Sequence, residues 1–322
     1  MPSRSCFRGF SPKRKNKVPA SEKHTRDSAV PERNRSWQDI LVHLRLPFSL
    51  FLAPVYFFAL SESKDTDRPD ALWVFVILHL LLFPASNAYN SYYDKDEGSI
   101  GLIEKPPPVS GLLLYTALGM DLAAIVLSLL LELGAGFTLY LILYGLVSKA
   151  YSHPRIRLKK YPVISLLTVA LFQGFYTFIA TYDAISATGT TPEPGILLPA
   201  ILCSCNLLAV YPLTQIYQHE EDRKHGDLTY SMLAGIRGTF RHAAVFFSLS
   251  FIGFGYLYIA ENNAVAWLLF SVFMLPSVVF FLYWWRKADM DISEASYRNT
   301  MRMNALAAAG LNVFFILMCL MR

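Results

Sequence analysis

Nine apolar runs, each bounded by polar residues, dominate the sequence: approximately 38 to 60, 71 to 93, 111 to 131, 134 to 150, 163 to 182, 196 to 217, 242 to 260, 264 to 284 and 303 to 321. Each is about as long as the roughly 20 residues that a helix needs to cross a bilayer. Only Glu132, Leu133 and Gly134 separate the third run from the fourth, which implies a tight helical hairpin, and no soluble domain fits between the runs. The fold class expected is therefore all-α, a polytopic membrane bundle of about nine transmembrane helices. Composition agrees, with 54% apolar and 16% charged residues and an excess of the aromatics that collect at membrane interfaces.

Residues 1 to 37 stand apart. They carry SPKRKNK, EKHTR and ERNR without a long apolar run, so a disordered basic tail is expected there, with the bundle occupying 38 to 322. No apolar segment near residue 20 suggests a secretory signal. The tail reads as an arm lying on anionic lipid rather than as a nucleic-acid binder. Cys6, Cys203, Cys205 and Cys319 have neither the spacing of a zinc site nor that of a disulfide framework.

Lys and Arg concentrate in the tail and in the segments after the second, fourth, sixth and eighth runs, while SESKDTDRPD, ELG, DAISATGTTPEPG and ENN are poor in base. Cytoplasmic loops carry such an excess. An integral, multi-pass protein with a cytoplasmic N-terminus and an outward C-terminus is expected, in the cytoplasmic membrane if the source is bacterial.

The carboxylate-rich loops fall on that same side. On a helix Asn87, Asn90 and Asp94 share a face at the end of the second run, followed by Asp96 and Glu97; after the sixth run Gln218 and Asp222 share a face, with Glu220, Glu221 and Asp227 nearby. Carboxylate and amide oxygens without a Cys or His set suit a hard cation such as Mg2+, which keeps waters and binds substrate phosphates. Lys105, Arg155, Arg157, Lys159, Lys160, Arg223 and Lys224 lie in the neighbouring loops and suit phosphate oxygens. The candidate metal set is Asn90, Asp94, Asp96, Gln218, Glu221 and Asp222.

These segments resemble the UbiA superfamily of intramembrane prenyltransferases, whose first motif runs N-x-x-x-D-x-x-x-D and whose second is close to D-x-x-x-D followed by R-x-x-G and a Thr. NSYYDKDEG supplies Asn90 and Asp94; HEEDRKHGDLT supplies Asp222, Arg223, Gly226 and Thr229. LRLPFSLFLAP with Arg45 and Pro47, KPPPVSG, and YSHPRIRLKKYP with Tyr151 and Ser152 extend the similarity over about residues 38 to 320. Two positions depart from the pattern. Gly98 stands at the third position of the first motif and Gln218 at the first position of the second, so either Glu220 or Glu221 is expected to contribute, or one ion to bind less tightly.

The resemblance implies a Mg2+-dependent enzyme with a UbiA-like bundle. An isoprenyl diphosphate would be held through Lys105, Arg157, Lys159 and Arg223, with Asp94, Asp222, Lys105 and Arg157 as the catalytic set. Its isoprenyl group would pass to an aromatic or lipophilic acceptor. Rival readings are a terpene cyclase on the same scaffold and a non-catalytic lipid-binding or transport descendant. Asn87, Asp121 and Tyr151 are candidates for the substrate cavity, Asp121 having a structural hydrogen-bonded role as its alternative. His79, Asn206, Asn304 and Asn312 read as interhelical glue, and Pro54, Pro84 and Pro276 as kinks. No H-E-x-x-H, G-x-S-x-G or phosphate-loop motif offers another chemistry.

Overall fold

The computed structural model describes residues 32–66, 68–186 and 194–321, so residues 1–31 of the expected tail, Cys6 among them, lie outside the described residues. Helix begins at Glu32, inside the stretch assigned to the tail. Among the described residues, eight helical spans are long and apolar enough to cross a membrane: Trp37–Glu62, Pro69–Asp94, Gly111–Leu130, Pro162–Ile185, Leu197–Gln215, Tyr230–Ala260, Ala264–Met290 and Tyr297–Met321. The helix Ala135–Ser152 stands fourth in chain order, and its 18 residues reach ~27 Å. Every expected run is thus a helix, and the nine are called spans one to nine below. Span seven begins at Tyr230 rather than 242. Arg237, Arg241 and His242 end the apolar run there without ending the helix, because a polar run marks where the bilayer stops and not where helical hydrogen bonding stops.

No sheet occurs among the described residues. Many large apolar side chains point outward, Leu130 at 73% exposure and Leu268 at 64% among them. Water would penalise such a surface around the whole girth of a bundle, and hydrocarbon does not. The molecule is an integral, multi-pass membrane protein.

Four spans carry breaks that shape the interior. Span one is interrupted at Arg45, whose left-handed backbone (φ 48°) precedes a short turn Leu46–Ser49, and helix resumes at Ala53 with Pro54 in its first turn. Span two contains a π-helical turn at Ile77–Leu82, directly before Pro84. There Ser49 Oγ donates to the His79 carbonyl at 3.0 Å and His79 Nδ1 meets the Ser49 carbonyl at 3.1 Å, so His79 does tie two spans together. Span five has a second π turn at Ala170–Phe175, where Ser204 Oγ accepts from the Phe175 N–H at 3.1 Å and donates to the Ala170 carbonyl at 2.7 Å. Pro54 and Pro84 accompany breaks as expected; Pro276 sits inside an unbroken helix, and the sharper departure in this half is Gly235, whose φ of 67° and ψ of 164° favour glycine.

At the end of the bundle remote from the acidic loops, Phe58, Phe178, Phe254, Phe270, Phe314 and Phe315 form a buried aromatic cluster, with Phe58 stacked on Phe315 at 4.5 Å between centroids. A second cluster near the loops joins spans seven and eight through Phe240 and Trp284, 4.8 Å apart. Between these clusters the spans enclose a cavity.

Candidate active site

Span two delivers the first acidic group. It ends at Asp94, and Lys95 closes it in the left-handed conformation (φ 50°) with its N–H on the Ser91 carbonyl at 3.0 Å, which turns Asp96 and Glu97 back over the helix end. Asn90, one helical turn before Asp94, donates to Asp94 Oδ2 at 2.7 Å and to Ser152 Oγ, the last residue of span four, at 2.8 Å. The second acidic group rides on a short helix, His219–Lys224, after span six. Gly226, at φ 73°, turns the chain there, so that the Asp227 N–H reaches the Asp222 carbonyl at 2.9 Å.

The loop after span four brings the cations. Arg157 has a left-handed backbone (φ 47°) and leads into the turn Leu158–Lys160. Its Nε and Nη2 donate to Asp227 Oδ1 and Oδ2 at 2.6 and 2.8 Å, and Nη1 stands 3.4 Å from Asp94 Oδ1. Lys159 Nζ lies 2.8 Å from Asp94 Oδ2 and 3.2 Å from Asp227 Oδ2. Two cations and two carboxylates therefore interlock. Burial works against the charge on Lys159, yet Asp94 and Asp227 outweigh it and hold the pKa above its ordinary value.

Asp222 has no such partner. Burial pushes its carboxyl up to about 7, opposed by Lys159 and reinforced by Asp227, Asp96 and Asp94. Asp96 is raised for the same leading reason, with Asp94 adding to it and Lys159, Arg45 and His225 opposing. The two acidic loops touch: the Glu97 N–H donates to Glu221 Oε1 at 3.2 Å. Ligand atoms of Asp96, Glu221 and His225 lie within 4.8 Å of one another. Of the two glutamates expected to compensate for Gln218, Glu221 is thus beside the site, whereas Glu220 lines a separate small recess with Tyr217 and Tyr297.

These groups stand at the mouth of a cavity of about 770 Å³ that runs between the spans. Asn87, Asn90, Asp94, Asp96, Lys159 and Asp222 line it together with Gln218 and Tyr151. Farther in it passes Tyr211, whose hydroxyl meets that of Tyr151, then Gln173 and Asn206, and it ends on Phe58, Phe254, Phe270 and Phe315. Asp94 Oδ1 and Asp222 Oδ2 are buried oxygens without a hydrogen-bond donor. An all-oxygen set with unsatisfied carboxylate atoms fits a hard divalent cation.

Arg157 and Glu221 lie outside the cavity lining but beside Asp94 and Asp96, which line it, and three further expected site residues are placed elsewhere. Lys105 and Arg223 are exposed and outside the cavity lining. Asp121 is also outside the lining, because it pairs with Lys149 of span four, whose amine also sits 5.2 Å from the Tyr89 ring centre. Two residues enter that the sequence reading left without a role. Asp227 anchors both cations. Arg45 lines the cavity and donates from Nη2 to the Asn87 carbonyl at 2.9 Å and to Ser91 Oγ at 3.3 Å. A charged side chain within an apolar span was the available signal for Arg45; Asp227 had none beyond its neighbourhood.

The fold matches solved structures. A UbiA homolog from Archaeoglobus fulgidus bound to DMAPP and Mg2+ aligns with a TM-score of 0.64 at 16% identity, covering 88% of this chain and 100% of that one. The same homolog bound to GPP and Mg2+ gives 0.62 at 16%, with 87% and 99% covered. A structure described as giving insights into the biosynthesis of digeranylgeranylglyceryl phosphate synthase in membranes gives 0.56 at 14%, with 89% and 98% covered. No curated protein is significantly similar to the chain. The UbiA prenyltransferase family model matches residues 51–306, which takes in both acidic loops and the cationic loop between them, and the chain belongs to that family.

Proposed function

We propose that the protein is a Mg2+-dependent intramembrane prenyltransferase that moves an isoprenyl group from its diphosphate to an aromatic or lipophilic acceptor. The observation that carries this reading is the placement of Asn90, Asp94, Asp222 and Lys159 at the mouth of a cavity whose far end is aromatic. Solved relatives described as bound to GPP or DMAPP with Mg2+ support the same donor class.

Asn90, Asp94 and Asp222, with Gln218 beside them, would hold the metal. When bound, the ion would neutralise charge on the leaving diphosphate. Lys159 and Arg157 offer further positive charge to its oxygens. The carbon–oxygen bond to the diphosphate breaks with its electron pair leaving on oxygen, and the allylic cation that remains is kept from water by the spans. Tyr151, Tyr211 and the phenylalanine faces give it an electron-rich wall. A carbon or oxygen nucleophile of the acceptor then forms the new bond and gives up its proton to water or to an oxygen of the released diphosphate. The loops and the N-terminus face the cytoplasm in this reading, and residues 38 to 322 form the catalytic domain.

Purified protein in nanodiscs, given Mg2+ and isoprenyl diphosphates from geranyl upward, should release diphosphate only when a suitable acceptor is present. Release without acceptor, yielding a cyclic hydrocarbon or alcohol, would replace the transferase with a cyclase. A folded chain that releases nothing from any donor and acceptor pair would overturn both.

A further inference from the structure

Lys159 holds one oxygen of Asp94 that a metal ion would need, and Arg157 stands beside the other without hydrogen-bonding it. Lys159 Nζ holds Oδ2 at 2.8 Å while Arg157 Nη1 faces Oδ1 at 3.4 Å, and the Asp94 side chain is only 2% exposed. Reciprocally, the ammonium that a diphosphate would need is held between two carboxylates, Asp94 and Asp227 at 2.8 and 3.2 Å. A cation arriving alone meets two fixed positive charges, and an anion arriving alone meets two fixed negative ones. At such separations in a partly buried site each like-charge encounter is unfavourable.

Resting on the reading above, we propose that these pairs form a charge-exchange latch, in which Lys159 leaves Asp94 for the diphosphate as the metal takes Asp94, so that metal and diphosphate bind as one unit. Asp227 is the positioning residue of the device. It grips Arg157 through two hydrogen bonds, is itself 3% exposed, and lies outside the cavity lining, so it keeps the cationic loop in place while Lys159 changes partner. The coupling is between two ligands of one site and is reciprocal by linkage. Its use is selective: a site that resists either ion alone is not silted up by free Mg2+ or free phosphate, and it assembles only around the metal–diphosphate complex.

The test needs no turnover. Calorimetric titration of the full chain in nanodiscs measures Mg2+ alone, inorganic diphosphate alone with chelator present, and the two together. Lys159→Met should bind Mg2+ alone about tenfold more tightly than the wild type. Asp94→Asn should bind metal-free diphosphate about tenfold more tightly, although Asp94 is itself a candidate metal ligand. Either gain supports the latch, and thermal melting of each variant establishes that it is folded, so one well-folded variant suffices. Unchanged or weaker binding in the folded variants overturns the latch and leaves the prenyltransferase reading intact. Failure of wild type and variants to bind Mg2+, diphosphate or both together overturns the latch and the site reading at once.

Discussion

Arg157 holds Asp227 with two nearly matched hydrogen bonds, Nε to Oδ1 at 2.6 Å and Nη2 to Oδ2 at 2.8 Å, and both side chains are largely buried. Breaking a buried pair by removing one partner leaves an uncompensated charge, which costs about 3 kcal/mol or more. Asp227→Ala should lower the melting temperature in detergent by several degrees and diphosphate release at least tenfold. Arg157→Lys should fall between wild type and Asp227→Ala, since an ammonium cannot make the paired geometry.

Asp94→Ala and Asp222→Ala should each abolish turnover while the chain stays folded and inserted. Steady-state release of diphosphate, set beside the melting profile of each variant, checks this. Residual activity above about a hundredth of wild type in either would remove that residue from the metal set.

Asp222 gives a pH signature of the ligand-free fold. Its folded pKa is raised to about 7, above the ~3.9 of an unfolded Asp, so the folded state binds the extra proton between these values and stability falls as pH rises through the window. Asp222→Asn removes the ionisation. Its stability advantage over wild type should grow by about 2 kcal/mol between pH 5 and pH 8. Parallel melts at the two pH values measure it, and a difference independent of pH would show that the carboxyl is not neutralised by burial.

The basic loops should divide by position. Lys105 and Arg223 are exposed and outside the cavity lining, so Lys105→Ala and Arg223→Ala should keep activity within about twofold, as exposed charges contribute little. Lys159→Ala should raise the KM for the isoprenyl diphosphate tenfold or more, because a charge-assisted contact in a partly buried site is lost.

Gly174→Ala should destabilise the bundle by about 1–3 kcal/mol, because a methyl group there would stand 2.8 Å from the Ser204 backbone, which has nowhere to yield. Thermal melting is the readout, and Ala at Gly119, where nothing lies nearby, is the control.

Much of this architecture was legible in the sequence because its solvent is hydrocarbon. Long apolar runs fix where helices cross, and even the 18-residue fourth helix with its Lys149 declared itself. Within the site, the helical spacing of Asn90 and Asp94 gave their mutual contact. Partner choice among charges was less readable. Lys105, Arg157, Lys159 and Arg223 are equally basic as letters, and only the folded contacts of Arg157 and Lys159 with Asp94 and Asp227 set those two apart. Asp121 could not be told from a cavity residue until Lys149, 28 positions on, was brought against it. The breaks in spans one, two and five were only partly announced by Pro54 and Pro84, since a π turn depends on what the neighbouring span offers to the freed backbone groups.

Those π turns have a geometric consequence for the chemistry. One residue advances an α-helix by about 100° about its axis, and a π turn carries an extra residue per turn without adding an equivalent advance. The turn at Ile77–Leu82 therefore sets the phase of everything after it in span two, including the direction in which Asn90 and Asp94 project. Winding the same residues as regular α-helix would leave the span apolar, helical and long enough to cross, yet swing both side chains by roughly a quarter of a revolution, away from Lys159. The aim of the carboxylates is set about two turns or more below them, in a stretch that contains no acid at all.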